Sequence, residues 1–345
     1  MERRGAYARL RELQARGRAL LGVDHAILGG AMTWVSERNL VAAISNAGGF
    51  GVLACGSMTP DLLRAEIRAT RERTSKPFGV NLIVMHPALA ELIEVCGEEK
   101  VGCIVLAGGI PPRTAMRRVK ELGAVLIGFA PALGIARKLV RDGVDALIIE
   151  GTEAGGHIGP VATSVLAQEI LPNVPEVPVF VAGGIGRGEA MLAYLEMGAS
   201  GCQLGTRFVC AAESIAHPAF KQAFIKGAAR DAMPSVQVDP RFPVIPVRAL
   251  QNAGQRRFIE TQHEVIARWR SGELDQKAAQ LEIEHFWAGA LRRAVIDGDV
   301  ENGSLMAGQS VGMIEREQPT ADILQDLIDQ AADAILRRDV AMAAD

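Results

Sequence analysis

No run of 18 uncharged apolar residues occurs in the sequence, so no membrane-spanning helix is expected. Cys-X-X-Cys and other metal-ligand spacings are missing too. The five cysteines (Cys55, Cys96, Cys103, Cys202 and Cys210) lie scattered, mostly in apolar segments. They read as small buried hydrophobes with free thiols in a reducing compartment. Basic charge is not in excess. A formal net charge of −3 and a pI near 6.1 lack the footprint that nucleic acid or an anionic membrane would demand. Aromatic residues make up only 4%, which leaves no obvious stacking platform to identify a ligand. None of the six histidines belongs to an HExxH or similar pair, so no catalytic metal is expected. The amino-terminal stretch carries Arg3 and Arg4, but no apolar core or small-residue cleavage site follows. The cytoplasm is the expected compartment.

What is plentiful is apolar residues, at 49%, and glycine, with 37 in 345 residues. Short apolar runs recur with Gly or Pro at their ends: 26–31, 49–55, 78–84, 103–109, 124–130, 146–151, 178–184 and 201–208. Each is too short and too uniformly apolar for an amphipathic helix, and reads as a strand buried on both faces. Helical patterns lie between them. "TPDLLRAEIRATRER" opens with a capping Thr59 and with Pro60 in its first turn. "PPRTAMRRVKELG", "ALGIARKLVRDG" and "GEAMLAYLEMG" each end in a glycine suited to a helix stop. Eight strand–helix units in about 200 residues predict an α/β fold, a (β/α)8 TIM barrel with a C-terminal helical subdomain. The expected division is a helical extension over 1–22, the barrel over 23–234, and a helical subdomain and lid over 235–345. Within the last, the proline-rich 235–247 reads as an extended loop.

In such a barrel, chemistry gathers where the strands end. Glycines cluster there: "GGAM" after the first strand, "GTEAGGHIG" after the sixth, "GGIGRG" after the seventh and "GTRF" at the eighth. Gly183, Gly184, Gly186 and Gly188 allow backbone N–H groups to approach an oxyanion closely, and Gly205 with Thr206 adds donors and a hydroxyl. Together they predict a phosphate-bearing cofactor. A Rossmann reading of "VFVAGGIGRGEA" is disfavoured, because the glycines do not fall at G-x-G-x-x-G and six strand–helix units precede it. His157 follows a barrel strand among glycines that give it room, and its side chain can move a proton either way near neutrality. Glu150 and Glu153 either tune that histidine or cap the next element.

"EGTEAGGHIG", "AGGIGRG" and "LGTRFV", in this order, resemble the FMN-dependent nitronate monooxygenases, a superfamily that includes type II enoyl-acyl carrier protein reductases. "GGAMTWVSERNLVAAISNAGGFGVL", "KPFGVNL" and "GDVENGSLMAGQSVGMI" match its other motifs, and the likeness covers roughly 22–337. It implies that Gly30, Ala31 and Met32 lie against the flavin ring and that Asn81 hydrogen-bonds it. It also implies that Gly183, Gly184, Gly205 and Thr206 hold the FMN phosphate, and that Gln203 reaches the flavin. Glu150, Gly155 and Gly156 are expected on the cofactor side as well, with His157 as the active-site acid/base and the 303–309 loop closing over the pocket. The implied activity is oxidation of alkyl nitronates with O2. Alternatives on the same barrel are reduction of an enoyl thioester, or of a quinone, by NADH or NADPH. The expected partner is therefore a small-molecule nitronate or enoyl thioester, with no nucleic acid or membrane, and a homodimer is left open.

Overall fold

The computed structural model describes residues 2–343, so the outermost ends of the two terminal segments, residue 1 and residues 344–345, lie outside the described residues. The strands in chain order are β1 (Ile27–Gly29), β2 (Gly51–Ala54), β3 (Phe78–Ile83), β4 (Cys103–Ala107), β5 (Val125–Phe129), β6 (Ala146–Glu150), β7 (Gly156–His157), β8 (Val179–Ala182) and β9 (Gly201–Leu204). All but β7 belong to one parallel sheet in the order β1-β9-β8-β6-β5-β4-β3-β2. Its two ends meet: Gly29 N donates to Phe50 O at 2.9 Å, and Phe50 N donates to Ile27 O at 2.9 Å. The sheet thereby forms a nearly closed barrel with helices between its strands. Each of the eight expected runs holds one barrel strand. The last is shorter than its run, because the chain leaves the strand at Gly205 and Thr206–Val209 is helical.

Alternation along the strands divides the core in two. Leu28, Val52, Val105, Ile127, Ile148 and Phe180 pack together inside the barrel. Their outward neighbours, among them Leu53, Val80, Leu106, Leu147 and Val181, pack with the helices. The helices supply one apolar stripe each. Leu63 and Ile67 come from Pro60–Arg71, where Thr59 Oγ1 accepts from Leu62 N. Gly123, Gly143 and Gly198 follow helix ends at φ of 76°, 98° and 105°, a conformation that admits the stop without a Cβ clash.

Residues 235–247 end differently from the expected loop. Val247 opens a strand, β11 (Val247–Leu250), which pairs antiparallel with both β10 (Ala232–Pro234) and β7. Beyond it, Phe258, Val265, Ala279 and Ile283 of the helices Ala253–Arg270 and Gln276–His285 form a separate small core with Phe242. The final helix, Thr320–Ala343, packs on the helices Gly188–Glu196 and Arg3–Leu13. Gly188 permits this: a Cβ there would lie 2.0 Å from Leu327 O.

Gly188→Ala should therefore push the last helix away and cost about 1–3 kcal/mol, the usual penalty of overpacking. Gly134→Ala, in a helix where nothing lies within 4 Å of the new Cβ, should leave stability unchanged or raise it. Urea unfolding of the two variants checks the contrast. Equal midpoints would remove the packing role assigned to Gly188.

Candidate active site

The inward row of the barrel changes character at the carboxyl end. By the same alternation that points Val105, Ile148 and Ala182 inward, Asn81, Glu150 and Gln203 face the interior one layer higher or beside them. Register confirms the level: Leu28 pairs with Gln203, Gln203 with Ala182, and Ala182 with Glu150. Asn81 is 4% exposed and makes one long bond, Nδ2 to Val105 O at 3.4 Å. Gln203 is 8% exposed, and its amide finds no partner among the described residues. The polar atoms that these two amides leave unpaired are not sealed from solvent, so they face the open mouth and are free to meet a ligand.

Backbone donors converge on the same level. Among the described residues, the N–H groups of Gly183, Gly184 and Gly205 have no acceptor. Gly183 and Gly184 sit at φ of 94° and 73°, so two successive left-handed residues turn the chain at the end of β8. Gly30 lies beside them, with its N donating to Leu204 O at 2.8 Å, and a Cβ there would come within 3.2 Å of Gly205 Cα. Ala31 packs on the interior cluster, and Met32 Sδ lies 3.5 Å from the place a Gly205 Cβ would take. Thr206 is buried, and its Oγ1 accepts from Gly308 N at 2.9 Å.

Gly188 does not join this group, because its N–H is taken by Gln330 Oε1 at 2.8 Å. The expectation that Gly188 faces an oxyanion is corrected. A Cβ on Gly186 would lie 2.4 Å from Met313 Sδ, so its open side admits the carboxyl-terminal tail.

The loop holding His157 is shaped by the tail as well. A Cβ on Gly155 would lie 2.5 Å from Gly308 N, and Gly156, at φ 76°, has Met306 Sδ 3.5 Å from its Cβ position. These two glycines make room for the 303–309 loop, which also bonds through Gln309 N to Glu153 O at 2.9 Å. His157 pairs with Val247 across β7 and β11, and Ile158 N donates to Pro246 O at 3.1 Å. Arg248, 6% exposed, reaches back from β11 and donates through Nε to Thr152 O at 2.8 Å. Only a charged residue in an otherwise apolar "VRAL" hints at that clamp in the sequence. Glu153 is a cap: its Oε2 accepts from Thr163 N at 2.8 Å and Thr163 Oγ1 at 2.9 Å, at the start of the helix Thr163–Ile170.

Two titratable groups remain for chemistry. The carboxyl of Glu150 lies deep among protein atoms, although the open mouth leaves part of the side chain accessible. It has no hydrogen-bond partner among the described residues, and burial pushes its pKa up to about 8. His157 stands in the mouth with its ring exposed, yet enough protein surrounds it for desolvation to lower its pKa below the ordinary value. Near neutrality both groups are uncharged, the carboxyl as an acid and the imidazole as a base. The five cysteines are buried, and burial pushes each thiol to about 12, so none competes as a nucleophile. Among the described residues no three His, Cys, Asp or Glu side chains converge as metal ligands, and no helix is long and apolar enough to cross a membrane. A groove of about 540 Å³ opens at the opposite end of the barrel, between Leu21, Phe50, Lys76 and Lys100. It includes none of the mouth residues, and this fold places its chemistry where strands end.

The arrangement defines a (β/α)8 barrel enzyme whose mouth offers backbone donors, neutral amides and uncharged acid–base groups. A sequence model described as nitronate monooxygenase matches residues 15–99 and 91–330. The chain belongs to the nitronate monooxygenase family and is an oxidoreductase. It is 31% identical over 339 residues to the (3aS,4S,5R,7aS)-5-hydroxy-7a-methyl-1-oxo-octahydro-1H-indene-4-carboxyl-CoA dehydrogenase of Mycobacterium tuberculosis, covering 90% of this chain and 93% of that one. With the nitronate monooxygenase of Paraburkholderia phytofirmans it shares 32% identity over 258 residues, 61% of this chain and 70% of the other. The solved structure of FabK from Thermotoga maritima superposes with a TM-score of 0.86 at 37% identity, covering 94% and 98% of the two chains.

The raised pKa of Glu150 has a consequence for stability. An unfolded chain releases this proton near pH 4.3, whereas the folded protein holds it until about pH 8. Across that window the folded state binds more protons, so its stability falls as pH rises, and the loss is complete above pH 8. Glu150→Gln removes the titration. Without added cofactor, the variant should melt about 3 °C or more above the parent at pH 8, and at the same temperature at about pH 3, where the parent carboxyl is neutral in both states. A constant difference at both pH values would show that Glu150 is not the group titrating.

Proposed function

We propose that the protein is an FMN-dependent oxidoreductase in which His157 manages the proton at a carbon made acidic by a neighbouring electron-withdrawing group. The observation that carries this reading is the layer of inward polar side chains at the mouth, Asn81 and Gln203, beside the free N–H groups of Gly183, Gly184 and Gly205. That set suits a large neutral ring with polar edges and a phosphate at one end. The glycine N–H groups and the Thr206 hydroxyl, which still has its proton to give, would hold the phosphate. Asn81 and Gln203 would meet the ring edges, with Gly30, Ala31 and Met32 along its face. When bound, the flavin supplies the electron transfer that no side chain here can perform. His157, uncharged at neutral pH, removes the proton from the activated carbon in the oxidative direction and returns it in the reductive one.

For substrate class we favour an acyl thioester, handled with a nicotinamide such as NADH or NADPH as redox partner. The mouth loops expose large apolar side chains, Met85 at 75% and Ile110 at 52% after β3 and β4, and Ile245 at 63% beside the His157 strand. Such a rim suits an acyl body, and two of the relatives above are named for a CoA thioester and for the FabK reductase. A small nitronate oxidised with O2 is the second reading, favoured by the unprotonated state of His157, which suits proton removal beside a nitro group.

Anaerobic addition of NADPH or NADH to the FMN-loaded protein, and separately of an alkyl nitronate, tests the choice. Bleaching of the flavin by the nicotinamide, reversed by an enoyl thioester, is the expected result. Bleaching by nitronate alone would reverse the order of the two readings, and a protein unable to take up FMN would overturn both. His157→Ala should keep its FMN and lose about a hundredfold in turnover. Full turnover in that variant would remove His157 from the reaction.

A further inference from the structure

Trp34 is the residue of the mouth that neither the fold nor the flavin reading accounts for. It lies in the tight turn after β1, where Val35 N and Ser36 N both bond to Met32 O, and Ser36 Oγ donates to Gly30 O at 2.7 Å. Its φ is 70°, the left-handed region that bulky residues avoid and glycine adopts freely. Glycine would serve this turn with less strain. Nor does core packing explain the indole, which is 37% exposed. Strain retained at an exposed position calls for a functional reason.

The tail supplies a second group. The guanidinium of Arg292 sits 5.8 Å from the Trp34 ring centroid. Arg292 immediately precedes a π-helical turn, Arg293–Asp297, a rare conformation that recurs at functional sites. Its one ion pair among the described residues, to Asp297 at 3.0 Å, is half exposed on both sides and holds little energy. The segment belongs to the mouth side: Ser304 N donates to Ala290 O at 3.1 Å, and the loop that begins there runs on to Gly308 and Thr206. An indole face and a guanidinium therefore stand together on the rim, one suited to a flat heterocycle and the other to a phosphate.

We infer that Trp34 and Arg292 form a docking point for the adenosine-diphosphate end of a ligand whose reactive end reaches the barrel mouth. The inference rests on the reading of the mouth as the place where a nicotinamide or a CoA thioester reacts, since both carry that same group. Adenine stacks on the indole, and the diphosphate draws the guanidinium away from its exposed partner Asp297. The pair contributes binding and takes no part in proton or electron transfer.

The test uses the FMN-loaded full chain and the variants Trp34→Gly and Arg292→Gln. Trp34→Gly suits the left-handed turn, so it should fold at least as well as the parent. Calorimetric titration with ADP should show binding to the parent that each variant weakens about tenfold or more. In turnover, KM for the adenosine-bearing ligand should rise by a similar factor with kcat unchanged. Nicotinamide mononucleotide (reduced) and pantetheine thioesters, which lack the adenosine diphosphate, should be handled alike by parent and variants. A response confined to NADPH against the mononucleotide assigns the docking point to the reductant, and one confined to CoA against pantetheine assigns it to the substrate. Equal ADP affinity in parent and both variants, or no ADP binding at all, overturns the inference. Because ADP binding is read without turnover, it can succeed where the proposed reaction fails, or fail where the reaction succeeds.

Discussion

The closed ring of parallel strands dictates where every other group can go. Once β1 meets β2 through the Gly29–Phe50 bonds, each strand has only two directions for its side chains, into the barrel or toward the helices. Most inward positions are hydrocarbon and fill the barrel, while the last inward layer carries Asn81, Glu150 and Gln203. Each fully buried Leu or Ile elsewhere in the ring contributes about 1.5–3 kcal/mol, whereas the amides of this layer keep polar atoms turned to the open mouth. A ligand that bound the folded state through those groups would stabilise it in proportion to its affinity.

The carboxyl-terminal tail completes what the ring begins. His157 is held by a strand of only two residues, too short to stand alone, and its partner Val247 comes from ninety positions further along. Four glycines make that assembly feasible: Gly155 and Gly156 admit the 303–309 loop, while Gly186 and Gly188 admit Met313 and the last helix. Arg248 then ties the two sides together at Thr152 O. The position of the histidine is accordingly a property of tail and barrel jointly, and a change at either Gly155 or Arg248 would displace His157 without touching it.

This division also explains what could be read from the sequence. The eight strands, the Thr59 cap and the stopping glycines at 123, 143 and 198 were legible because each signal is local: an apolar run, a hydroxyl three residues before its donor, a residue that tolerates positive φ. The glycines of "GGIGRG" were legible as a group but not one by one. Gly183 and Gly184 turn the chain toward the mouth, whereas Gly186 and Gly188 meet residues more than a hundred positions away, and no local pattern separates the two uses. The pairing of His157 with Val247 was hidden for the same reason, because the prolines at 240, 243 and 246 mark a loop and give no sign of the strand that follows. Trp34 stands within the motif "GGAMTWVSERN", yet only its left-handed φ and the nearness of Arg292 distinguish it from any exposed aromatic residue.

The two uncharged groups of the mouth fit one chemical requirement. In the proposed flavin reaction, moving electrons between a carbon and the ring would leave a proton to be placed, and a charged acid or base buried beside that ring would alter the cost of every charge that passes. Burial solves this from both directions at once. It holds the carboxyl of Glu150 protonated to about pH 8 and lowers the pKa of the His157 imidazole, so neither of these two groups carries a charge at neutral pH. The arrangement also sets its own limits. Above pH 8 Glu150 ionises and places an anion in a layer built from neutral amides, while well below neutrality His157 takes up a proton and ceases to be a base. In the proposed reaction the working range would lie between these two titrations, both set by how far the barrel wall and the tail exclude water from one end of the ring.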